Sequence, residues 1–259
     1  LKNTLLHKPF IAETLKNRVS LFFILLGIQS LFFVTNMLNS VLRSPTDGLE
    51  LKFAVIDNHI VPNGVALIPY TVGFFLSALL PLWAAYRMPI KLYRQYIFAM
   101  AVAALFSYVI YIVFPTYVIK PAPEDVTGDG FLSSMLMSAY HMDNSYSTHN
   151  ALPSQHVFYA IINMCFMIKF RPNRLSFWTW SMLAASITLS ALLTRQHHSP
   201  DLVAGYLVAV GAYWGGSRLG AWVTKQLGDE NCPIVVVTPN WMGGKKQREF
   251  DPKRTTKPI

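Results

Sequence analysis

Two stretches decide how this chain is to be read: Asn150-Ala151-Leu152-Pro153-Ser154-Gln155-His156 and Arg195-Gln196-His197-His198-Ser199-Pro200-Asp201. Each stands just ahead of, or in the first turn of, a long apolar run of the kind that forms a membrane helix. If both runs enter the bilayer from one side, His156, His197 and Asp201 meet at one depth.

Apolar runs recur along the whole chain. Hydrophobic residues make up 53% of it and charged residues only 14%, where soluble domains carry roughly a quarter charged. Each run approaches the ~20 residues that cross ~30 Å of hydrocarbon. The expected fold is therefore all-α: a polytopic membrane protein with six transmembrane helices, at 19–38, 66–86, 95–114, 153–170, 175–194 and 202 to about 223. A basic arm (1–18) precedes this membrane domain (19–224) and a basic tail (225–259) follows, with 233–237 able to pair as a short strand. A short basic turn falls at 87–94. The connection 115–152 is too long to be an idle loop, and 131–140 has the apolar content of a short helix lying on or dipping into the bilayer.

The net charge of +9 matters through its distribution. Of the 22 Lys and Arg residues, only Arg43, Lys52, Lys120 and Arg195 fall in the loops after the first, third and fifth spans. The rest lie in the arm, at 87–94, at 169–174 and beyond 217. By the positive-inside rule both termini are cytoplasmic. The second, fourth and sixth spans then start at the outer face, which lets the two opening stretches meet. Every histidine except His7 falls on that side as well. The basic tail is expected to be solvated or to touch anionic lipid, and no nucleic acid is expected as a partner. Cys165 and Cys232 do not make a disulfide framework. The first apolar run has no small-residue cleavage site behind it, so no cleavable signal is expected.

The chemistry follows from the helix starts. Pro153 suits a first helical turn, and Ser199-Pro200 reads as an N-cap followed by proline. Helix N-termini offer free N–H groups and the positive end of the dipole, which favour an anion such as phosphate. His197 and Asp201 are four residues apart, so the carboxylate can hold the imidazole in one tautomer and leave its other nitrogen as nucleophile or base. His156 can then protonate a leaving oxygen.

These residues resemble a known family. Pro153-Ser154-Gln155-His156 is similar to the P-S-x-H motif of the type 2 phosphatidic acid phosphatase (PAP2) superfamily. Ser190, His197, Asp201 and Gly205 resemble its last motif, and Pro115-Thr116 with Lys120-Pro121 its first. The likeness covers about residues 66–223, with motifs at 115–121, 150–156 and 190–201. It implies that His197 forms a phosphohistidine, that Asp201 orients it, and that His156 protonates the departing lipid oxygen. It implies too that Ser154 and Lys120 bind the phosphate. Asn150, Gln155 and Arg195 complete the expected substrate-binding set. No metal or cofactor is called for.

Two positions depart from the family pattern: Ala191 replaces an arginine and Val113 a lysine. Arg195 can compensate for the first loss. Similar losses occur in the branch resembling inositol-phosphorylceramide and sphingomyelin synthases, where a lipid alcohol replaces water, and the segment 57–70 resembles that branch too. The leading expectation is a lipid phosphatase acting at the extracytoplasmic or lumenal membrane face, with a lipid phosphate and the bilayer as partners; a homo-oligomer is compatible with it. Three rivals stand beside it: a lipid headgroup phosphotransferase, a non-enzymatic lipid carrier, and a metal site drawn from His141, Asp143, His149, His156, His197 and Asp201.

Overall fold

In the computed structural model the apolar runs fold as helices. They are α1 (Pro9–Lys16), α2 (Arg18–Leu42), the single turn α3 (Ala54–Asp57), α4 (Leu67–Arg87), α5 (Ile90–Val113), α6 (Phe131–Tyr146), α7 (Gln155–Phe170), α8 (Arg174–Leu193) and α9 (Ser199–Gln226). Short 3-10 turns occupy Gly64–Ala66 and Pro123–Asp125. The structure describes residues 9–44, 47–127, 130–146 and 149–228. The expected strand at 233–237, Cys232 and the tail beyond 228 lie outside the described residues.

The fold is all-α, and four of its helical segments are long and apolar enough to cross a membrane: Arg18–Leu42, Gly64–Arg87, Ile90–Val113 and Arg174–Leu193. The other two expected spans differ for a physical reason. α7 has 16 residues, and α9 has 28 but a lower mean apolarity than its neighbours. α7 is an interior helix, packed against α4, α5, α8 and α9, while α9 lays one small-residue face on α5 and α7 and leaves Tyr206, Leu207 and Trp214 exposed on the other. A helix surrounded by protein has no need of an apolar surface all round.

Polar contacts at the helix ends fix the direction of each helix. At one end Arg18 Nη1 donates to the carbonyls of Ala85 (2.7 Å) and Met88 (2.5 Å). There too Arg94 Nε donates to Leu15 O (3.0 Å) and Lys169 Nζ to Gln95 Oε1 (2.9 Å). At the other end Asn39 Nδ2 donates to Tyr111 O (3.2 Å), Tyr111 Oη to Pro153 O (2.6 Å), and Ser154 N to Asp201 O (3.1 Å). The long helices therefore alternate in direction, and α7 and α9 start at the same end.

Small residues set the tightest packing. A Cβ on Gly216 would lie 2.3 Å from Ala99 Cα, and one on Gly220 2.6 Å from Gln95 Cα, so α9 lies almost backbone to backbone on α5. Such small-residue seams are how helices associate where lipid removes the hydrophobic drive between them. Three boundaries differ from expectation. The turn at 87–94 shrinks to Met88-Pro89, because Lys91 and Arg94 belong to α5 and Arg94 is buried against the end of α1. α2 runs on to Leu42, and α6 to Tyr146.

Candidate active site

α7 begins at Gln155 with Ser154 as its N-cap. Pro153 stands before the helix, across a cis peptide from Leu152, not in the first turn as expected. α9 begins at Ser199 with His198 as its N-cap, one residue earlier than expected. Asp57 explains that shift. Its carboxylate accepts Ser199 N (2.9 Å) and Ser199 Oγ (2.7 Å), which draws Ser199 into the helix. The His198 N–H is taken by Asp201 Oδ2 (2.9 Å).

The two helix starts touch. A Cβ at position 205 would lie 2.8 Å from Ser154 O and 3.0 Å from Val157 Cβ, so only glycine lets α9 come this close to α7. That contact brings three of the expected residues together. His197 Nδ1 lies 3.5 Å from Asp201 Oδ2, at ion-pair distance, which turns Nε2 away from the carboxylate. The His156 and His197 ring centroids are 6.3 Å apart. Tyr70 stacks on His156 at 3.8 Å and 20°, fixing the plane of that ring from α4. Ser154 Oγ, Gln155 Nε2 and His156 Nε2 are all buried without a hydrogen-bond partner. Buried polar atoms are rarely left so in structural positions.

The cations are nearby but engaged. Lys120 Nζ donates to Gln196 Oε1 (2.7 Å) and lies 3.4 Å from Asp143 Oδ2. Burial pushes its pKa down, against the pull of Asp143 and Asp201. Arg195 has a left-handed backbone (φ 49°), and its guanidinium donates to the backbone carbonyl of Asp57.

Asn150 is not brought to the imidazoles. Its amide donates to Thr35 Oγ1 (3.0 Å) and accepts from Asn39 Nδ2 (2.7 Å), both on α2. Its backbone joins a parallel bridge to Thr116, which bridges in turn to Leu49, so three loops are stitched above the site. Ala191 is fully buried beneath the site, its carbonyl accepting His197 N–H (3.1 Å). Val113 is 76% exposed at the end of α5.

Asp57 and Tyr70 were not singled out as site residues from the sequence. Asp57 stands out in the sequence as an isolated acid after the apolar stretch Phe53-Ala54-Val55-Ile56, and with Tyr70 it bounds the segment 57–70. The six residues of the metal rival do not converge on one point. His149 Nε2 is in contact with Asp47 O (2.7 Å), and among the described residues no three His, Cys, Asp or Glu side chains form a group able to hold a metal ion.

An apolar helical bundle with paired histidines and an aspartate at two adjoining helix starts is the architecture of a membrane-embedded phosphatase-like protein. A family model described as PAP2 superfamily matches residues 49–215, which includes every residue of the site, and the chain belongs to that superfamily. No curated protein and no solved structure gives a significant match. Superfamily membership and the apolar helices fit an integral membrane protein acting on a membrane lipid.

Proposed function

We propose that this chain is an integral-membrane lipid phosphatase that hydrolyses a lipid phosphate or pyrophosphate through a phosphohistidine intermediate. One observation carries it: His197 stands between Asp201 and His156 where the starts of α7 and α9 meet. His197 Nε2 attacks phosphorus, the bond from phosphorus to the lipid oxygen breaks, and His156 gives that oxygen a proton. Water deprotonated by His156 then attacks the phosphohistidine, which releases phosphate and restores His197. Asp201 holds the tautomer and stabilises the imidazolium. Ser154, Gln155, Lys120, Arg195 and the two helix N-termini answer the negative charge of the transferring group, the main catalytic task in such chemistry. Asn150 serves this set indirectly, by holding its loop to α2.

In this reading all six long helices cross the bilayer, with α7 inside the bundle and α9 turning one apolar face outward. Both termini are cytoplasmic by the distribution of Lys and Arg, and the site faces the extracytoplasmic or lumenal side. A second reading has one observation in its favour. With Ala191 and Val113 in place of cations, Lys120 beside Asp143 and Arg195 bonded to Asp57, the cationic cradle is thin. That suits a phosphotransferase that passes the phospho-group to a lipid alcohol.

The test is incubation of purified protein with a panel of lipid phosphates, measuring free phosphate and new lipid products together. Phosphate release with water alone is expected. Turnover only after diacylglycerol or ceramide is added would replace the phosphatase by the transferase. Lipid movement between vesicles without any turnover would point to a carrier.

A further inference from the structure

The single turn α3 points its apolar residues outward and its acid inward. Phe53, Val55 and Ile56 are exposed, Val55 at 85%, while Asp57 is 1% exposed. The hydrophobic effect alone would arrange them the other way round. A carboxylate taken out of water costs free energy unless hydrogen bonds replace its hydration. Two of the bonds that Asp57 accepts come from Ser199, through N to Oδ1 (2.9 Å) and Oγ to Oδ2 (2.7 Å), and another from Phe53 N (2.7 Å). Its backbone carbonyl accepts from the Arg195 guanidinium. Asp57 therefore grips the chain on both sides of His197, at Arg195 before it and at Ser199 after it.

The segment between those grips needs holding. Arg195 sits in the left-handed region (φ 49°), which a residue with a Cβ enters at a cost. Backbone bonds tie the start of the segment to α8, from Arg195 N to Leu192 O (2.9 Å) and from His197 N to Ala191 O (3.1 Å). Its far end is tied by Asp57. Without that carboxylate, Ser199 Oγ is free to take the N-cap role that serine prefers, and α9 begins one residue later. Asp201 then leaves the place from which Oδ2 accepts His198 N (2.9 Å) and faces His197 Nδ1 at 3.5 Å. We propose that Asp57 is a positioning residue for His197: its buried carboxylate sets where α9 begins, and with it the Asp201 contact that leaves His197 Nε2 free to attack. The inference rests on the phosphoryl-transfer reading of His197. Asp57 itself meets neither substrate nor phosphorus; it acts through Ser199 and Arg195.

The experiment measures kcat, KM and melting temperature of the full-length protein in detergent on phosphatidic acid. It also reads the His197 tautomer by nitrogen NMR of histidine-labelled protein at a pH where the ring is neutral, the signal being the one lost in His197→Ala. Asp57→Asn keeps the shape of the side chain but puts an NH2 group or a weaker acceptor where the carboxylate stands. Its kcat should fall by about 10–100-fold with KM within about twofold, as misplacement of a nucleophile predicts. The single tautomer of the wild type should give way to an averaged signal, since the Asp201 contact selects it. Ser199→Ala, which removes only the Oγ bond, should lose about tenfold or less in kcat. Added to Asp57→Asn it should cost little more, because both break one contact. Val55→Ser, on the exposed side of the same turn, should change neither readout. Wild-type kcat and tautomer in Asp57→Asn overturn the inference, even with a lowered melting temperature, as a merely structural tie would give. So does a rise in KM at unchanged kcat, an additive loss in the double variant, or an equal fall in kcat for Val55→Ser. If Asp57→Asn does not fold, Ser199→Ala carries the test, and an unchanged kcat and tautomer there overturn it. A tautomer lost in Asp57→Asn, with no phosphate release by the wild type from any lipid phosphate, sinks the phosphatase reading alone.

Discussion

The two ends of the helical bundle treat buried polarity in opposite ways. At the end where α2 starts, cations meet the carboxyl ends of helices: Arg18 bonds the carbonyls of Ala85 and Met88, and Arg94 that of Leu15. Helix C-termini carry partial negative charge, so the chain supplies its own countercharge there. At the other end the amino ends of α7 and α9 face two imidazoles, and Ser154 Oγ, Gln155 Nε2 and His156 Nε2 are buried without partners. On the proposed reading the countercharge at that end is the phosphate of the substrate. One end is built for stability, the other for binding.

The comparison breaks most visibly at His197. Its replacement by Ala should lower phosphate release by about 10³-fold or more, since the nucleophile itself is removed, with the melting temperature in detergent nearly unchanged. Full lipid turnover by that variant would defeat the enzymatic reading. Gly205→Ala comes next. Its new methyl meets Ser154 O at 2.8 Å, so α9 must shift from α7 and carry His197 and Asp201 with it. Activity should fall by about 10–100-fold from misplacement, and stability by about 1–3 kcal/mol from overpacking. Retained kcat would mean that the spacing of the two helix starts does not set the geometry. At the opposite end Arg94→Ala should cost about 1–3 kcal/mol in a denaturation series and leave kcat unmoved; a kcat loss on the scale of His197→Ala would erase the contrast between the ends.

The smallest effect concerns pH. Burial, reinforced by Arg195, pushes the His198 pKa below the ordinary histidine value, against the pull of Asp201, Asp57 and Glu50. Folded protein therefore keeps this ring neutral where the unfolded chain, with a pKa of about 6.5, takes up a proton. The unfolded state binds more protons, so stability is lost as pH falls below that value. Melting curves from pH 7.5 to 5 should drop more steeply for the wild type than for His198→Gln; parallel slopes would show that His198 is not the group responsible.

Much of this was legible in the sequence because it is local. Apolar blocks gave the helices, and the Pro-Ser and Ser-Pro starts gave the two amino ends. The i, i+4 spacing of His197 and Asp201 gave their pairing, while Gly205 entered as a motif position whose steric reason needed the backbone of α7. What stayed hidden is long-range. Asp57 reaches Ser199 across 142 residues, and the stacking of Tyr70 on His156 joins two helices with no sequence sign of contact. The cap of α9 moved by one residue because Asp57, and not solvent, claims Ser199. Length and apolarity alone do not mark α7 and α9 as spans, since α7 has 16 residues and α9 a lower mean apolarity than its neighbours.

The length of α7 has a last consequence. Sixteen residues rise about 24 Å, roughly 6 Å less than the hydrocarbon thickness. Its far end is held by Lys169 reaching Gln95, so on the six-crossing reading the shortfall lies at the end carrying His156. The reacting centre then sits below the headgroup plane, and a lipid phosphate must sink toward the enzyme to react. Thicker bilayers should deepen that descent and slow turnover, so membrane thickness becomes a control on the rate.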